Sequence, residues 1–108
     1  VLIVAVPNCS SYDAMKYGKY WAAYDVPRHL WHFTPATIQQ FGSKHGFILA
    51  ARHPMPFDAF YVSMLTEKHK GSAYSFVKGM WTGTVAWLSA QAKKERSSSM
   101  IYVFRKKR

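Results

Sequence analysis

Val1-Leu2-Ile3-Val4-Ala5-Val6-Pro7-Asn8 is an unbroken apolar run, mostly β-branched, closed by Pro and Asn. Apolar residues without polar alternation fit a strand buried on both faces of a parallel sheet, which implies helical layers above and below it. Pro7 cannot donate to a ladder and Asn8 favours turns, so the strand is predicted to stop there. The fold class read from this stretch is α/β. At 108 residues the chain is at most one domain. Its first residue falls inside a predicted strand, which reads as a cut through a longer domain.

Working outward, Cys9 to Leu30 is a long irregular connection with five aromatics, holding a short helix about Tyr12–Tyr17. Long loops in compact domains tend to be functional. One at the carboxyl end of a parallel strand overlies the crevice where open α/β sheets bind ligands. Thr34-Pro35 opens a helix, Thr as the cap and Pro at the first helical position. Ile38 and Phe41 are placed on one face of it, and Gly46 supplies a left-handed stop. Phe47–Ala51 is the next strand. Pro54-Met-Pro56 then breaks the chain, and Gly71-Ser72 separates two further helices, Phe57–Lys70 and about Ser75–Lys94. In the second of these Val77, Trp81, Val85, Leu88 and Ala92 form an apolar stripe, widened by Phe76, Met80 and Trp87. Gly79 and Gly83 form a small-xxx-small pair that would permit close helix packing. Met100–Phe104 is the final strand.

The order of strand, Pro7-Asn8, the aromatic loop Tyr17-Gly-Lys-Tyr-Trp21 and then Asp25-Val-Pro-Arg-His-Leu-Trp-His-Phe-Thr-Pro35 carries a resemblance. It resembles the second half of a class I S-adenosylmethionine-dependent methyltransferase, in the small-molecule branch that includes quinone-biosynthesis enzymes. Gly46-Phe47 is similar to the opening of that family's sixth strand. Ser98–Phe104 is similar to its antiparallel seventh strand, which lies between the fifth and sixth. The resemblance implies a partial Rossmann-like methyltransferase sheet of the last three strands, at about 1–6, 47–51 and 99–105, the final one antiparallel. A helical insert at about 57–94 interrupts it. The family's first helix in this half carries two Leu where this chain has Phe41 and Gly42. The family's glycine-rich turn and the acid after its second strand, which hold S-adenosylmethionine, are not in this chain. The resemblance thus makes residues 1–108 the C-terminal part of a methyltransferase domain whose cofactor-binding half is absent, and the piece alone inactive.

Within that frame His29 and His32 are the candidate catalytic groups, because His can take or orient a proton near neutral pH. Arg28 is placed to pair with an acidic group of the substrate. Trp21 would wall an apolar or planar substrate, and Pro7 and Asn8 close the strand at the crevice. Each has a plainer reading: Arg28 and His29 fixing the loop through backbone bonds, His32 helping to cap the helix, Asn8 making the turn, Trp21 filling a small loop core. His29-x-x-His32 has metal-pair spacing without a further ligand nearby, so no metal site is expected. Cys9 has no base beside it and reads as a buried thiol.

The formal net charge is +10, from 15 Lys and Arg against five Asp and Glu. A basic nucleic-acid-binding module would gather its cations with aromatics on one face, whereas here many lie near the C-terminus, in Arg105-Lys-Lys-Arg108. The expected partners are a small-molecule methyl acceptor and a second copy of the chain, met through an exposed sheet edge or the insert helices. Those helices fit a substrate cap, a subunit interface or a membrane surface, and the substrate cap leads. A lone Cys excludes an intrachain disulfide and fits a reducing compartment, so the cytoplasm is the expected location.

Overall fold

The computed structural model describes residues 1–26, 28–55, 57–71 and 73–108. Pro27 of the Pro-Arg-His segment, Pro56 of the expected chain break and Ser72 of the inter-helix turn lie outside the described residues. The elements in order are β1 (Leu2–Pro7), α1 (Tyr12–Tyr17), α2 (Pro35–Lys44), β2 (Phe47–Pro54), α3 (Asp58–His69), α4 (Ser75–Ala92) and β3 (Ser99–Lys106). Short 3-10 turns at Gly18–Tyr20, Ala22–Tyr24 and Lys94–Arg96 join them. The protein is α/β, with a three-stranded sheet ordered β1-β3-β2.

Strand β3 pairs antiparallel with both neighbours, Val4 opposite Tyr102 on one side and Leu49 opposite Phe104 on the other. Hence β1 and β2 run parallel to each other, and both end at the same rim of the sheet. A bulge between Leu49 and Ala51 shifts the register of β2. It brings Arg52 opposite Tyr102, and the Arg52 guanidinium is ion-paired with Glu95.

Helix α2 forms where Thr34-Pro35 predicts it. The Thr34 hydroxyl accepts from the Thr37 N–H at 3.1 Å, and the Thr37 hydroxyl accepts from the Thr34 N–H at 2.8 Å, so two orphan donors of the first turn are satisfied reciprocally. Ile38 packs on Met100, Tyr102 and Phe104 of β3, with Val4, Val6, Phe33, Phe47 and Leu49 around them. The expected Ile38–Phe41 face is only half right: Phe41 lies outside, leaning on Phe33 and His45. Gly42 fills the place next to the sheet because a Cβ there would meet Phe104 Cε1 at 2.6 Å. The glycine lets the helix settle over an aromatic ring.

The expectation that β1 is covered on both faces is corrected. Val4 and Val6 turn toward α2, but on the opposite face Ile3 is 66% exposed and Ala5 is exposed too. A long apolar run cannot by itself report a second layer, since periodicity is silent where every position is apolar.

A second small core joins α1 and its loop to α3, through Ala14, Tyr17, Trp21, Ala22 and Val62. Helix α4 lies on α3 with Gly79, Thr82, Gly83, Ala86 and Ala90 buried. The apolar stripe expected on α4 is present, and it does not face α3. The stripe of Val77, Trp81 and Leu88 faces outward, at 65%, 68% and 54% exposure. Close helix packing explains this facing: a Cβ on Gly79 would lie 2.5 Å from Met64 Cα, and one on Gly83 2.8 Å from Phe60 Cα. Only small residues fit between backbones so near.

Candidate functional site

The carboxyl end of β1 opens into a cavity of about 330 Å³ beneath the segment that returns to α2. Val6, Pro7 and Cys9 form its strand side, Trp21 one wall, and Arg28, His29, Trp31 and His32 the returning side. Five of the six residues singled out in the sequence therefore share one cavity: Pro7, Trp21, Arg28, His29 and His32. Asn8 does not line it.

Asn8 is instead a fastener. It is fully buried, and its amide donates to the carbonyls of Glu95 at 2.6 Å and Ser97 at 2.9 Å. Its Oδ1 accepts from the backbone N–H and hydroxyl of Ser10. The turn reading of Asn8 thus accounts for every polar atom of its side chain, and the loop leaves the sheet at a fixed point. The loop returns equally fixed, since Asn8 and Phe33 form a parallel bridge in which the Cys9 N–H donates to the Phe33 carbonyl at 3.0 Å.

Trp21 fills the small loop core, as its plainer reading has it, and also borders the cavity. It is 2% exposed within the loop core, edge-on to Tyr24 with ring centroids 5.1 Å apart, and it also presents a wall to the cavity. Its orientation is set by Asp13, whose Oδ2 accepts from Trp21 Nε1 at 2.8 Å and from the Ser98 hydroxyl at 2.7 Å. Asp13 is itself completely buried. Nothing in its sequence context distinguishes it from a solvent-facing acid in the first turn of a helix, which is why it was missed.

Arg28 and His29 stand at the mouth. Asp25 shapes them: it adopts a left-handed conformation (φ 44°), which Asp tolerates better than most residues. Its carbonyl accepts the His29 N–H at 2.8 Å, and its carboxylate meets Arg28 Nε at 3.1 Å. The Arg28 side chain is 83% exposed, so this pair stabilises the fold little and leaves the other guanidinium donors facing solvent. His29 Nδ1 lies 3.4 Å from the Ala23 carbonyl. With its proton on Nδ1, the ring leaves Nε2 as an acceptor. His32 stacks edge-on to Tyr24 at 4.8 Å and does not cap α2, a role Thr34 fills.

Behind Arg28 and His29 a second cavity of about 460 Å³ reaches toward α3 and adds Asp58, Tyr61 and His69 to the surroundings. Asp58 accepts from the Ser99 hydroxyl, tying the start of α3 to the sheet rim. Cys9 borders the first cavity, and burial pushes its thiol pKa up, so it is held protonated. Among the described residues no three His, Cys, Asp or Glu side chains come together to hold a metal ion. The arrangement suits a planar or apolar molecule with an anionic group: aromatic wall, one outward guanidinium and one imidazole acceptor. Compared with protein-family models, curated proteins and solved structures, the chain gives no match.

Proposed function

We propose that this chain is the acceptor side of a class I S-adenosylmethionine-dependent methyltransferase acting on a small molecule. The strand order carries the reading. The strand that comes last in sequence lies antiparallel between two parallel strands, and the cavity opens at the carboxyl end of the first. The resemblance of the Pro7-Asn8 and Arg28-His29 segments to that family supports the same reading.

S-adenosylmethionine, when bound, supplies an activated methyl group, so the protein has mainly to align the acceptor and exclude water. The residues present do not by themselves form a site for that cofactor. All five carboxylates are engaged within the chain: Asp13 with Trp21 and Ser98, Asp25 with Arg28, Asp58 with Ser99, Glu67 with Tyr17, Glu95 with Arg52. The family's glycine-rich turn and the acid after its second strand are not among these residues, so in this reading the cofactor is held by another part of the domain. On the acceptor side, Trp21 and Trp31 flank the molecule, Arg28 pairs with its anionic group, and His29 Nε2 accepts the proton of the reacting group.

The test begins with the coding sequence upstream of Val1. A segment of the form Asp-x-Gly-x-Gly roughly a hundred residues earlier supports the reading, and an unrelated domain there refutes it. In a protein carrying that segment, His29→Ala is expected to lower methyl transfer by about a hundredfold at unchanged melting temperature. Micromolar binding of S-adenosylmethionine by the 108 residues alone would overturn the assignment of the cofactor elsewhere.

A further inference from the structure

The α3–α4 hairpin is built in reverse. In a helix packed for water the bulky apolar residues turn inward and the small or polar ones outward. In α4 the inward face is Gly79, Thr82, Gly83, Ala86 and Ala90, while Val77, Trp81 and Leu88 point away from the protein. The arrangement cannot be relieved by rotating the helix, because the inward positions have no room for a larger group: a single Cβ at Gly79 already meets the Met64 backbone. The outer side of α3 continues the apolar surface. Tyr61, Met64 and Leu65 border a shallow groove with Phe76 of α4, and Lys68 stands at its edge.

Charge says what covers this face. Every carboxylate of the protein is engaged by a neighbour within the chain, as described above, and two of the five, Asp13 and Glu67, are buried. With 15 Lys and Arg against five Asp and Glu the exterior is cationic, and the hairpin carries its share: Lys78 on α4, Lys68 at the end of α3, Lys93 and Lys94 beyond α4, all exposed. Bulky apolar and aromatic residues flanked by lysines match a bilayer interface, where rings sit at headgroup level and ammonium groups reach anionic lipids. We propose that the α3–α4 hairpin docks on an anionic lipid surface, lying along it with Val77, Trp81 and Leu88 in the interface. Among the described residues no helix is long and apolar enough to cross a membrane, and the contact proposed is with the surface alone. A second copy would set one cationic rim against another. A nucleic acid would neutralise the lysines but leave the stripe in water. This inference is independent of the methyl-transfer reading.

The test is co-sedimentation of the 108-residue chain with vesicles of phosphatidylcholine containing about 30% phosphatidylglycerol, compared with pure phosphatidylcholine. Binding to the anionic vesicles is expected, at least about tenfold weaker on the neutral ones and weakened by salt. The double variant Trp81→Ser/Leu88→Ser is expected to lose at least about tenfold in partitioning, with circular dichroism and melting temperature unchanged because both side chains are exposed. Lys68→Glu/Lys78→Glu is expected to weaken anionic-vesicle binding by a similar factor and serves if the first pair misfolds. The proposal is overturned by failure to bind anionic vesicles, or by binding that survives both variants. It is equally overturned by a stable dimer that the Trp81/Leu88 variant dissociates while vesicle binding is absent. Salt-dependent binding of duplex DNA without vesicle binding also overturns it.

Discussion

Replacing Gly79 by Ala tests the reversed hairpin where it is most exposed to refutation. Glycine inside a helix normally weakens it, and Ala at an unobstructed site would gain about 1 kcal/mol. Here the added methyl would lie 2.5 Å from Met64 Cα and 2.8 Å from Met64 N. Carbon atoms rest at about 3.5–4 Å, so α3 and α4 must part locally by roughly 1 Å. The obstructing atoms are backbone and cannot swing aside as a side chain would. Overpacking of this kind costs about 1–3 kcal/mol, and the immobility of the obstacle places Gly79 at the upper end. After the helix-propensity gain, a net loss of about 2 kcal/mol is expected. For a domain of this size that lowers the melting temperature by roughly 10 °C. Urea unfolding followed by circular dichroism gives the free energy directly, and Lys78→Ala on the exposed side of the same turn serves as the control, expected to be near neutral. A Gly79→Ala protein as stable as its parent, or more so, would mean that the helices are not in backbone contact. The outward placement of Trp81 would then lose its foundation.

Asp13→Ala should leave the Trp21 indole N–H and the Ser98 hydroxyl without their acceptor in a buried place. A loss of about 2–3 kcal/mol in chemical denaturation is expected, and a loss below about 0.5 kcal/mol would show that the network does not hold the loop. Alkaline stability should follow Tyr17 and Tyr102, whose burial pushes each hydroxyl from its ordinary value of 10.0 up to about 12. Between those values the unfolded chain gives up protons that the folded one keeps, so stability is complete below pH 10 and falls as pH rises toward 12. Melting temperatures measured across that window should decline, and Tyr17→Phe should flatten the decline; an unchanged slope would exclude Tyr17 as a contributor.

Much of this architecture can be read from the chain because its signals are local. The Thr34-Pro35 cap, the β-branched runs and the short helix at Tyr12–Tyr17 each depend on a few adjacent residues. Strand order was legible only through the resemblance, since no local signal says that the last strand lies between the first two. The site was partly legible: Pro7, Trp21, Arg28, His29 and His32 do gather around one cavity. Asn8 was named with them yet fastens the loop to residues 95–97, because a turn-forming Asn at a crevice looks the same in sequence whichever way its amide points. Asp25 and Asp13 escaped notice because their work depends on partners brought in by folding. The stripe on α4 was legible, but the side it faces was not, for a definite reason. An apolar stripe identifies the buried side only when the partner helix stays far enough away to need filling, and Gly79 and Gly83 let it come closer.

The central position of β3 has a kinetic consequence. Among the described residues β1 and β2 pair with no strand but β3, and β3 follows both in the chain. Within residues 1–108 neither earlier strand has a sheet partner until residues 99–106 have emerged. The Asn8 fastening, which spans 87 and 89 positions in sequence, must wait for the same moment. Helices α3 and α4 can meet early through neighbouring segments, whereas the sheet closes in one late, long-range step. Until then the apolar run Val1–Val6 lacks its partner within these residues, so the refolding yield of the 108-residue chain should fall as its concentration rises.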